Sequence, residues 1–64
     1  MTLYTRRPTP SGEPIIRTRD LDGLALTEAV AAAKAELRIE GAVVSIIGRA
    51  VERWVYRDGD WKRA

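Results

Sequence analysis

Apolar and polar positions change their period along the chain, and the changes mark the elements. Thr2 to Arg7 alternates weakly around Leu3, Tyr4 and Thr5, which predicts a short strand. Pro8-Thr9-Pro10-Ser11-Gly12-Glu13-Pro14 interrupts it with three prolines. A proline has no N–H to give a ladder, so this segment is a loop close to a sheet edge. Ile15 to Arg19 resumes as a second strand, with Ile16 and Thr18 on one face and Ile15, Arg17 and Arg19 on the other.

After Asp20-Leu21-Asp22-Gly23 the period becomes helical. Leu26, Val30, Ala33 and Leu37 recur at i, i+4, i+7 and i+11, a single helical stripe. Thr27 is an N-cap residue, Glu28 suits the positive end of the helix dipole, and Gly41 can stop the helix in a left-handed conformation. The helix is therefore expected over 28–40. Its inner face is largely alanine and valine, which lets it approach a sheet closely.

Residues 42–64 support two readings. Val43, Val44, Ile46, Ile47, Ala50, Val51, Trp54 and Val55 fit a 3.6-residue period, so 43–57 could form a second helix. The β-branched run Val43–Ile47 and the central Gly48 argue for strands instead. Gly48-Arg49 places glycine first, as a type II′ turn requires, and Asp58-Gly59 is a strong type I′ signal. That second turn sets Arg57 opposite Asp60 and Tyr56 opposite Trp61. The expected fold class is α+β: a single domain over 1–64 in the order β-β-α-β-β(-β), one helix on one face of an antiparallel sheet, with a short last strand at 60–63. The alternative is a β-hairpin plus two helices.

Size sharpens this picture. At 64 residues a folded chain buries only about 60% of the surface that its extended form exposes. Of 29 apolar residues nine are alanine, leaving twenty larger ones for a core. There is no cysteine, hence no disulfide or thiolate metal site, and no histidine, hence no imidazole base. Ser11 and Ser45 have no such base to activate them, and no catalytic residue is expected. Asp20/Asp22 and Asp58/Asp60 lack the further ligands of a calcium loop and read as turn formers. The five glycines are too dispersed for a phosphate loop, so neither metal nor cofactor is expected.

Eleven basic residues, nine of them arginine, meet nine acidic ones for a net charge of +2. No apolar run is long enough to cross a membrane. The first residues lack the apolar core of a secretory signal, and Pro8-Thr9-Pro10 follows Arg6-Arg7 where an export signal would turn apolar. A cytoplasmic location is expected. Abundant arginine and alanine with little lysine are associated with GC-rich bacterial or phage coding sequences.

Two interaction surfaces are expected from these patterns. Ile15, Val51 and Val55, set among Arg17, Arg53 and Arg57, would lie on the sheet face away from the helix and form the interface of a homodimer or a contact with a protein partner. Alternatively Arg6, Arg17, Arg19, Arg53 and Arg57 would form a nucleic-acid-binding face, since arginine grips phosphate as a bidentate fork. The nearly matched acidic count favours the first reading. The chain is thus expected to be a small non-catalytic interaction module.

Overall fold

A computed structural model describes residues 1–64. Its strands are β1 (Thr2–Arg7), β2 (Ile15–Asp20), β3 (Val43–Ile47), β4 (Val51–Arg57) and β5 (Asp60–Arg63), and its one helix is α1 (Gly23–Glu36). The strands form one antiparallel sheet in the order β2-β1-β3-β4-β5. The α+β class and the β-β-α-β-β-β order follow the expectation, and 43–57 is a pair of strands rather than a helix. Its β-branched side chains suit a pleated surface better than a helical turn.

The register assigns the faces. Leu3 pairs with Arg19 and Ile46, Thr5 with Arg17 and Val44, and Val44 with Trp54. Directly opposed residues share a face, so these belong together. Leu3, Val44 and Leu26 of α1 form the buried nucleus, with Val30, Ala33, Leu37, Ile46, Trp54 and Trp61 packed around it. The predicted stripe Leu26–Val30–Ala33–Leu37 is thus the inner face of the chain's helical region. The small Ala33 lets the backbone come close to the sheet. The other face of the sheet carries Tyr4, Arg6, Ile16, Thr18, Val43, Ser45, Ile47, Val51, Arg53, Val55 and Arg57; no helix or strand lies over it, although Val43 and Ser45 at its centre are buried.

The helix is shifted from its expected bounds. It begins at Gly23, and Thr27 lies inside it, its hydroxyl donating back to the Gly23 carbonyl at 3.3 Å. Asp22 is the N-cap residue, but its carboxylate accepts from the Met1 ammonium at 2.9 Å instead of capping its own helix. The C-terminal turn stops at Glu36. Beyond it the Ile39 N–H turns back to the Leu37 carbonyl, and the Gly41 N–H donates to the Tyr56 carbonyl at 2.9 Å. Gly41, at φ 88°, therefore leads the chain into β3 rather than ending a helix. Arg38, Ile39 and Glu40 are acceptable helix formers, but the hydrogen bonds offered by the end of β4 prevail.

The turn at Asp58-Gly59 has positive φ at both positions, 53° and 80°, as a type I′ hairpin requires. Tyr56 faces Trp61 across it, with ring centroids 5.3 Å apart in an edge-to-face arrangement. Arg57 faces Asp60 in register, but the Asp60 carboxylate accepts from the Trp61 N–H at 2.8 Å, and no ion pair forms between the two. The other hairpin departs from expectation. Ile47 opposes Val51 across three residues, and Gly48 is not among the glycines with positive φ, so this is not a II′ turn.

Two stability outcomes follow. Gly59→Val forces a β-branched residue to adopt φ near 80° and should lower stability by about 1–3 kcal/mol; urea unfolding followed by circular dichroism reads this. Leu26→Ala should cost about 2–5 kcal/mol, whereas Leu24→Ala, at a side chain 73% exposed, should shift the same curve little. Equal shifts in the two leucine variants would displace the proposed core.

Candidate functional site

The register divides the residues expected to act together. Val51, Arg53, Val55 and Arg57 share the uncovered sheet face, joined there by Arg6 from β1. Ile15, Arg17 and Arg19 lie on the helix side instead, because they oppose Arg7, Thr5 and Leu3. The expected six-residue interface is therefore two clusters on opposite faces, and the five-arginine nucleic-acid face is split in the same way.

On the uncovered face, β1, β3 and β4 set Tyr4, Ser45, Ile47, Val51 and Arg53 around a shallow depression. Ser45 is buried there, its hydroxyl donating to the Glu52 carbonyl at 3.0 Å. Val51 is 65% exposed, and Ile47 and Ile16 are also exposed. Arg6, Arg53 and Arg57 surround these apolar residues, and none has a carboxylate within salt-bridge distance. Glu52 lies on the other side of the sheet and pairs with Arg63 at 3.3 Å.

On the helix side a groove of about 190 Å³ separates β2 from α1. Leu3, Ala29, Ala33 and Leu37 form its apolar wall; Arg17 and Arg19 stand along the β2 side, with Ile15 and its β1 partner Arg7 at one end. Glu36 is the one carboxylate among its lining residues. The groove exists because α1 leans over β1 and β3 and leaves β2 uncovered; every residue of β2 is exposed.

The tryptophans do not form an open stacking platform. The Trp61 indole N–H donates to the Lys34 carbonyl at 2.8 Å, satisfying one of the helix-end carbonyls that lack an intrahelical donor. The Lys34 ammonium lies 3.8 Å from the centre of the Trp54 ring. Both rings therefore fasten the end of α1 to β4 and β5. Sequence spacing gave no sign of this link, nor of the Glu40 carboxylate that accepts from the Asp58 N–H at 3.1 Å and steadies the last hairpin.

The paired aspartates are also placed. Asp20 and Asp22 both approach the Met1 ammonium, at 3.3 and 2.9 Å, and this contact, Asp22 foremost, raises the pKa of that amine. The pKa of the Arg38 guanidinium is raised by the neighbouring Tyr56 hydroxyl. Both groups lie outside the two clusters. No helix is long and apolar enough to cross a membrane. Comparison with protein-family models, curated proteins and solved structures finds no match to the chain.

Trp61→Phe keeps the aromatic contact with Tyr56 but removes the donor to Lys34. It should destabilise the protein by about 1–3 kcal/mol and speed hydrogen exchange in the last turn of α1. Unchanged exchange there would mean that the indole bond does not hold the helix end.

Proposed function

We propose that this protein is a non-catalytic interaction module of the cytoplasm that pairs with a second copy through its uncovered sheet face. The observation that carries this reading is that exposed face, with Ile16, Ile47 and Val51 at its surface. A monomer of 7.1 kDa is expected to expose about 4,100 Å². This chain exposes 4563 Å² and buries only seven residues, an excess that pairing would remove. Five strands of four to seven residues, about 4.8 Å apart and averaging roughly 19 Å in length, present a face on the order of 450 Å². Two such faces approach the roughly 1,000 Å² of a specific interface. An isologous contact suits the surface, because each copy offers both arginines and the carboxylates Asp20 and Asp60 on that face.

Nucleic-acid binding is the second reading. Arg6, Arg53 and Arg57 support it as unpaired guanidiniums on one face, but Arg17 and Arg19 lie on the other side and no tryptophan is free to stack on bases. Sedimentation at tens of micromolar separates the two. The wild type should run as a dimer whose melting temperature falls on dilution, and Val51→Asp should run as a folded monomer. A wild-type monomer that shifts only on adding a DNA or RNA duplex, and releases it as salt rises, would overturn the dimer in favour of the second reading.

A further inference from the structure

We propose a second binding site on the opposite side of the molecule: the outer edge of β2, with the groove beside α1, takes up an extended acidic peptide by strand addition. The backbone supplies the first part of the argument. The Leu21 N–H donates to the Met1 carbonyl at 2.8 Å, continuing the β1–β2 ladder beyond its end. In an antiparallel ladder hydrogen-bonded pairs alternate, so Arg19, Arg17 and Ile15 direct their backbone groups to β1. Ile16, Thr18 and Asp20 then turn theirs outward, where β2 has no neighbour. No proline lies within the strand to interrupt an added partner.

The side chains select the occupant. A second copy of β2 is a poor one. Two-fold antiparallel pairing centred on Arg17 sets that residue opposite itself. Centring on Thr18 sets Arg17 opposite Arg19, and centring on Arg19 sets that residue opposite itself. Each of these registers opposes like charges directly, and the register that avoids this, centred on Ile16, pairs only residues 15–17 of the strand, so the arginines guard the edge against extended self-pairing. A strand running antiparallel to β2 with acidic residues opposite Arg19 and Arg17 removes that conflict. Its next side chain on the same face lies opposite Ile15, where the aliphatic end of the groove suits an apolar group. The expected pattern is acid–x–acid–x–aliphatic. Strand addition supplies affinity through the main chain and specificity through alternate side chains. The apolar wall and the absence of an aromatic ring among the groove's lining residues favour a peptide over a nucleic acid.

The test uses the full chain and a fluorescein-labelled peptide with glutamate, threonine, glutamate, threonine and isoleucine in that order between short glycine-serine flanks. Fluorescence anisotropy should show micromolar binding. A lysine-for-glutamate peptide should not bind, nor should a peptide N-methylated along the edge that faces β2. The double variant R17E/R19E should lose about tenfold or more in affinity for the acidic peptide and gain affinity for the lysine peptide, an exchange that misfolding would not produce. Val51→Asp should still bind, which keeps this site separate from the dimer face. The proposal is overturned by the absence of binding at millimolar peptide, by binding that survives N-methylation or R17E/R19E, or by an oligonucleotide that binds equally well through the same two arginines.

Discussion

One helix cannot cover a five-stranded sheet, and the remaining features follow from that shortfall. A helix with its side chains is about 10 Å wide, whereas five strands span roughly 24 Å. Its small-residue face brings α1 close to β1 and β3, where Leu3, Leu26 and Val44 form the nucleus. The aromatic pair Trp54 and Trp61 extends that cover toward β4 and β5, because large rings fill the distance that the helix does not reach. Nothing extends it toward β2, and no helix lies over the far face, where only Val43 and Ser45 are buried. The molecule thus has a compact centre between an uncovered sheet face and an exposed edge strand.

The arginines fit this arrangement physically. A guanidinium on a long aliphatic stem lies over apolar surface while its charge stays in water. Arg6, Arg53 and Arg57 are placed to do this beside Ile16, Val43 and Val55 on one face. Arg17 and Arg19 are placed to do it beside Thr5 and Leu3 on the other. A surface that must stay wet in the free protein yet remain able to dock is better built from such amphipathic side chains than from lysine or from bare aliphatics.

Local chemistry made much of the fold legible in advance. Asp58-Gly59 specified its turn because few residues accept positive φ, and the β-branched run Val43–Ile47 specified a strand. The stripe from Leu26 to Leu37 identified the inner side of α1. Placement on a face was harder to read, because it depends on register. Arg7 opposes Ile15 across the seven residues 8–14, which puts Ile15, Arg17 and Arg19 with Leu3; a shift of one residue would have put them with Tyr4. The helix ends depended on partners distant in sequence. Asp22 is engaged by the chain terminus, and the end of α1 is set by Trp61 and by the Tyr56 carbonyl, none of which a local pattern can reveal.

The strand order also shapes how the chain assembles. Three of the four ladders join strands that are neighbours in sequence, while the fourth joins β1 to β3, with Leu3 against Ile46. Closing that long loop costs on the order of 3 kcal/mol in chain entropy, incurred before the core can reward it. The hairpin of β1 and β2 and the meander from β3 to β5 can each form early, but each leaves one side of Leu3 or Val44 wet until the central ladder closes. That pairing joins the two fragments into one domain, and its long sequence separation makes it the expected slow step. The segment between α1 and β3 links those two fragments, so the integrity of the domain rests on one central ladder rather than on its local hairpins.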